Sequence, residues 1–346
     1  MSLSPMVSNC HEGTSRVSQR REPAEATFLI SLDFELLWGM RGMPGASSYL
    51  GHILGARAAI PRILATFQEY EIRATWATVG LLLFDSRADL LRHLPAIRPH
   101  YTRTELDPYR DLEILGDNEG TDPFHYGLSL ARQIVACEGM ELASHTFSHY
   151  YCLEAGQTLE AFREDLDAAI AATCRITERP QSIVFPRNQV EPGYLSLCRQ
   201  SGLLGFRGNE AGRLHKASRY HDISSFQRGL RLLDAHINLS GAHAFSPQME
   251  GRMVNLPSSR FLRPFNPHSR ILERLKLGRI KRAMTLAASR KEFFHLWWHP
   301  HNFGLNLDEN ILSLETILKH FVFLRERYGF VSRTMRDAAE RAVRSS

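Results

Sequence analysis

Two carboxylates end an apolar run: Ser31-Leu32-Asp33-Phe34-Glu35. On a strand, residues i and i+2 share a face, so Asp33 and Glu35 point the same way with Cα atoms about 6.5–7 Å apart. Two acids that close repel one another unless a cation or a basic group stands between them. The plainer alternative is a strand that ends one residue earlier and leaves both acids solvated. A second candidate is Ser144-His145-Thr146-Phe147-Ser148-His149, with imidazoles at i and i+4. Among 16 histidines in 346 positions, about 0.7 such pairs arise by chance, so spacing alone is weak. His295 and His299 form another pair inside an apolar run, but four strand residues span about 13 Å, too far for one ion. The first pair follows an apolar run, where a turn can bring both rings to one centre. With Glu35 from a neighbouring strand end, it makes two nitrogens and one carboxylate with a position left for water, a catalytic zinc arrangement.

The third candidate lies at the exit of Phe293-Phe294-His295-Leu296-Trp297-Trp298-His299-Pro300-His301-Asn302. His299 suits proton transfer near neutrality, or it packs as a core histidine among tryptophans. Arg187, at the end of 182–187, is a fixed cation that pairs with Asp33 or faces solvent. Trp38 and Arg41 lie just past the first motif. The indole is either a platform for a pyranose ring or a core residue. His301 completes the candidate substrate contacts, and with His299 it offers a rival His-x-His metal pair that Pro300 weakens.

Elements must carry these residues to one place. From residue 27 on, short β-rich runs alternate with helical patterns, as in an α/β fold with a parallel sheet or barrel. The runs 27–33, 72–80, 139–145, 182–187, 203–208, 253–257 and 293–300 predict seven strands. Helices are expected over 56–70, 158–176 with Thr158 as N-cap, 191–201, 268–289 and 308–327. Residues 95–125 and 209–250 interrupt the rhythm as long loops of the kind that build the rim of a barrel site. Residues 1–26 predict a disordered tail, and 27–346 a single domain.

Composition narrows the class. Hydrophobic residues make up 43% of the chain, enough for a large core. The 42 Lys and Arg against 37 Asp and Glu leave a formal charge of +5, modest for a nucleic-acid binder. Five scattered cysteines without a Cys-x-x-Cys pair signal neither a disulfide framework nor a cysteine zinc site. No run of about 18 uncharged apolar residues predicts a membrane span, and the expectation is a soluble, cytoplasmic protein.

In chain order, Asp33-Phe34-Glu35, His145 to His149, Phe185-Pro186-Arg187-Asn188-Gln189 and Trp297 to Phe303 resemble the motifs of the polysaccharide deacetylase (NodB-homology) family, over about residues 28–331. The resemblance implies a distorted (β/α)7 barrel holding a divalent metal, with zinc expected, on Glu35, His145 and His149. It further implies Asp33 as catalytic base, Arg187 as the residue orienting that base, and His299 as general acid, so that an N-acetylated sugar yields acetate and a free amine. The chain departs from the family's usual pattern. Phe34 separates Asp33 from a glutamate where many members have adjacent aspartates, and Phe-Pro-Arg-Asn-Gln replaces the commoner Arg-x-Pro-x-Gly. A metal-independent amidohydrolase acting on a small ureide remains an alternative, as do a glycoside hydrolase and an inactive carbohydrate-binding barrel.

Overall fold

The computed structural model describes residues 25–43, 45–210, 233–234 and 240–345. Most of the expected 1–26 tail and much of the 209–250 loop lie outside the described residues.

The strands are β1 (Thr27–Phe34), β2 (Ala74–Thr78), β3 (Met140–Ser144), β4 (Ser182–Ile183), β5 (Gly205–Phe206), β6 (Gln248–Glu250), β7 (Met253–Asn255), β8 (Arg260–Phe261), β9 (Phe293–Trp298) and β10 (Val331–Arg333). The helices are α1 (Leu50–Glu69), α2 (Arg87–Arg92), α3 (Leu128–Ala136), α4 (Leu159–Cys174), α5 (Pro192–Gln200), α6 (Arg270–Arg290), α7 (Leu307–Tyr328) and α8 (Met335–Ser345). All seven expected strands are present. Several are shorter than expected: Pro186, for example, lies beyond β4, and Pro300 follows the end of β9, because proline cannot donate to a ladder. Thr158 caps α4 as expected, its hydroxyl accepting from the Ala161 N–H at 3.1 Å. Helices α2, α3 and α8 and strands β6, β8 and β10 were not among the expected elements; the last strand and helix lie at the chain's C-terminal end.

The sheet runs β6-β7-β5-β4-β3-β2-β1-β9-β8, and β10 lies against the first residues of β1. Every pairing is parallel except β6 with β7. One segment, 253–262, joins the two ends. Its first part, β7, pairs with β5, and its second part, β8, pairs with β9. Between them, Ser258 N–H donates to Gly208 O at 2.9 Å and Ser259 N–H to His295 O at 2.8 Å. The staves are therefore β1, β2, β3, β4, β5, the split β7/β8 segment and β9, a distorted (β/α)7 barrel.

Strand alternation decides which side chains enter the barrel. Phe28, Ile30, Leu32 and Phe34 join the main core outside the barrel, with residues of α1 and α7. Leu29 faces inward, in a cluster with Ala77, Val184, Val254 and Leu256 that plugs the bottom. Ser31 and Asp33 follow Leu29 on that inner face, above the apolar plug. The 95–125 stretch is less of a surface loop than its composition suggests. It buries Tyr101, Leu106, Leu112 and Leu115, and the Tyr101 hydroxyl accepts from Tyr151 N–H at 2.9 Å.

Candidate metal and catalytic site

Glu35 leaves β1 one residue past its end, and Leu36 after it takes a left-handed φ of 45°. Gly39 folds back under Glu35, where a Cβ would overlap the carboxyl group. The two histidines are presented by a loop held from several sides. His145 N–H donates to Thr78 O at 2.9 Å, continuing the β2–β3 ladder. Thr146 and His149 both have positive φ, at 63° and 59°, so the chain turns twice and carries the second ring back beside the first. The ring centroids lie 5.1 Å apart.

Asp165 on α4 braces that turn, a role that spacing did not suggest. Its carboxylate accepts from Phe147 N–H at 2.7 Å, Ser148 N–H at 3.1 Å and the Ser148 hydroxyl. The group is wholly buried, and burial raises its pKa to about 6 against these hydrogen bonds.

Glu35, His145 and His149 converge, their ligand atoms all within 4.8 Å of one another. Glu35 Oε2 lies 3.0 Å from His149 Nε2 and 3.4 Å from His145 Nε2. Two ligands bound about 2.0–2.1 Å from a tetrahedral ion stand about 3.3–3.4 Å apart, so these spacings fit such an ion. His145 Nδ1 is 2.8 Å from Val184 O, which fixes that nitrogen as the protonated one. Its Nε2, buried and without a hydrogen-bond partner, is the nitrogen turned toward Glu35, the arrangement that frees it to take a metal. Burial pulls the pKa of His149 down to about 4 despite its hydrogen bond to Glu35, so this ring is neutral at pH 7. Burial also pushes Glu35 upward, but the neighbouring His299, His145 and His149 outweigh it and hold the carboxyl well below the usual range.

Asp33 is 3% exposed and gripped by one guanidinium, which is Arg207. Arg207 Nη1 donates to Asp33 Oδ1 and Nη2 to Oδ2, both at 2.7 Å, with further bonds to Ser31 Oγ and Asn188 Oδ1 at 3.0 Å each. Burial would raise the Asp33 pKa, but Arg207 overcomes it and the group stays ionised. The expectation that Arg187 pairs with Asp33 is corrected here. Arg187 sits in a left-handed turn at φ 52° that carries it toward the rim, where it donates to Arg41 O at 2.8 Å and lies 4.4 Å from the Tyr151 ring centroid. Alternation was the signal for Arg207: Phe206 packs outward against α4 and α5, so the next residue points inward.

His299 follows β9 with its side chain 22% exposed, Nε2 at 3.5 Å from Glu35 Oε1 and 3.8 Å from Asp33 Oδ2. His301 stacks on it at 4.8 Å and is buried, with burial first among the causes that lower its pKa to about 3. It supports His299 from behind, and its burial argues against direct contact with substrate. His295 hydrogen-bonds Ser31 Oγ at 2.8 Å and Leu256 O at 3.0 Å. Trp38 is a core residue, 0% exposed with its indole N–H on His125 O at 2.9 Å, so a sugar cannot stack on it. Arg41 is tied to Asp111 at 3.0 Å and to Asp107 O at 3.2 Å. The aromatic surface beside His299 belongs instead to Trp297 and Phe261, whose rings lie 4.7 Å apart and line a cavity of about 270 Å³ that reaches His299.

No family model and no curated protein matches the sequence. Solved structures share the fold. A protein described as a polysaccharide deacetylase from Mycobacterium smegmatis superposes with a TM-score of 0.57 at 14% identity, over 93% of this chain and 92% of that one. A second so described, from Pseudomonas aeruginosa PAO1, gives 0.51 at 13%, over 92% and 91%. An allantoinase also gives 0.51 at 13%, over 91% and 89%. Polysaccharide deacetylases thus have the same barrel, and the barrel also serves other amide chemistry. Among the described residues, no helix is long and apolar enough to cross a membrane.

Proposed function

We propose that this chain is a metal-dependent hydrolase that removes an N-acetyl group from an amino-sugar-containing glycan or its biosynthetic intermediate. One observation carries the reading: a buried carboxylate and two buried imidazoles, their ligand atoms all within 4.8 Å of one another, stand next to a second acid kept ionised by Arg207 and a histidine at the open side. Glu35, His145 and His149 would hold the ion, with zinc favoured by the two-nitrogen, one-oxygen set. When bound, it supplies Lewis-acid polarisation of the amide carbonyl and of the attacking water.

The rest falls to the chain's own groups. Asp33, ionised and fixed by Arg207, accepts a proton from the water that attacks the acetyl carbon. A carboxylate has about four lone-pair sites, so the two bonds from Arg207 leave room for that proton. His299, across from Asp33, hands a proton to the departing nitrogen as the C–N bond breaks, giving acetate and a free amine. Trp297 and Phe261 offer apolar faces to a sugar ring beside that nitrogen. His301, Asp165 and Asn188 position these groups.

The test is a panel of N-acetylated sugars, chito-oligomers and ureides, incubated with and without zinc, with acetate and ammonia measured separately. Acetate released by the wild type, dependent on zinc and lost in Asp33→Asn, is the expected result. Ammonia from a ureide, unaffected by a chelator, would replace this reading with the metal-independent alternative.

A further inference from the structure

The split stave brings to the cavity a cation that the mechanism does not use. β8 runs beside β9 with Phe261 opposite Trp297, and β9 runs beside β1 with Trp297 opposite Ser31. His299 follows the end of β9 with Nε2 3.8 Å from Asp33 Oδ2, and Arg263 follows the end of β8 by two residues. Phe261 and Arg263 both line the cavity that His299 and Trp297 also line.

Neighbouring charges there are matched. Arg260 and Arg279 reach Asp234 at 2.7 and 2.9 Å, and Arg260 stands 3.7 Å from Glu210. Arg263 differs. Its guanidinium makes no hydrogen bond or ion pair with any described residue, although it is half-buried. Burial lowers its pKa, and the field of Glu210 only partly opposes this. A guanidinium in a partly desolvated cavity presents a planar fork that matches the two oxygens of a phosphate or carboxylate. Asn188, Asn209 and Ser258 line the same space with neutral polar groups suited to hydroxyls.

We propose that Arg263 is a specificity-determining residue that binds an oxyanion carried by the substrate, within about one sugar ring of the scissile amide. The inference rests on the deacetylase reading for the identity of the sugar. Its test is therefore binding as well as turnover. Wild type, Arg263→Gln and Arg263→Lys are titrated calorimetrically with N-acetylglucosamine, its 1-phosphate and its uronic acid. The wild type is expected to bind at least one anionic sugar about tenfold or more tightly than the neutral one. The phosphate and carboxylate arms show which oxyanion is preferred. In Arg263→Gln the anionic-to-neutral ratio should fall close to one, and Arg263→Lys should keep part of it. Equal or undetectable binding of all three sugars by the wild type, or a ratio that survives in Arg263→Gln, overturns the proposal. Acetate assays on the same sugars separate the two ideas. Acetate without anion preference removes the oxyanion site alone, and anion preference without acetate from any sugar removes the deacetylase reading alone.

Discussion

Replacing Arg207 by Met keeps an unbranched apolar stem and removes the guanidinium, which isolates what that group does for Asp33. Four hydrogen bonds disappear, two of them charge-assisted contacts to Asp33 at 2.7 Å, and a carboxylate 3% exposed is left without its cation. Removing one partner of a buried pair costs about 3–5 kcal/mol. Asp33→Asn strands Arg207 in the same way. The double variant strands neither charge, so its cost should fall short of the sum of the singles by about 2 kcal/mol or more. Urea unfolding of the four proteins at pH 7 measures this coupling directly. It needs no substrate, so it tests the pair whether or not the reaction is the one proposed. A second readout comes from pH. Without Arg207, burial is opposed only by the neighbouring His145 and His299, so the Asp33 pKa rises, and the acid limb of the activity profile should move to higher pH in Arg207→Met and stay in place in Arg187→Met. Additivity within about 0.5 kcal/mol, together with an unmoved acid limb, would show that Arg207 fills space and does not hold the base.

The metal seat predicts that wild-type protein retains about one zinc per chain after gel filtration, while Glu35→Gln and His145→Ala retain less than about a tenth of that by elemental analysis. Undiminished zinc in both variants would place the ion elsewhere. The metal-free chain should also weaken in mild acid. His149, His295 and His301 have folded pKa values of about 4, 3 and 3 against 6.5 unfolded. As pH falls below 6.5, the unfolded chain therefore gains protons that the folded chain refuses, and each costs up to about 1.4 kcal/mol per pH unit. Asp165, raised to about 6, opposes them between pH 6 and 4 because the folded chain holds that proton more tightly. The urea midpoint should still be lower at pH 5 than at pH 8, and an unchanged midpoint would show that the three rings are not held neutral.

Much of this was legible in the chain because its carriers are strand ends. Asp33 and Glu35 share a face by period 2, and the apolar runs before them, before His145 and before His299 announce the staves that position them. Arg187 and Arg207 show where such reading stops. Both are arginines at the end of short apolar runs, and only the outward packing of Phe206 and the left-handed turn at Arg187 decide which one reaches Asp33. Trp38 is similar: its place just past the first motif suited a platform as well as a core, and the bond to His125 O settles it. Asp165 lay in an ordinary amphipathic helix, and nothing local ties it to a loop 17 residues earlier. The α2 and α3 helices were hidden for a related reason, since they are short and flank a Pro- and Asp-rich stretch that reads as loop.

The divided stave separates two duties within one small barrel. Asp33, Glu35 and the histidine turn stand on β1 and β3, which belong to the long, continuous part of the sheet. Ser258, Arg260, Phe261 and Arg263, which shape the cavity, stand on or just past a strip that meets β5 and β9 through two-residue ladders. Exchanging side chains on that strip leaves untouched the ladders from β1 to β3 that carry Asp33, Glu35 and the histidine turn, and only His299, against which Phe261 packs, feels both duties.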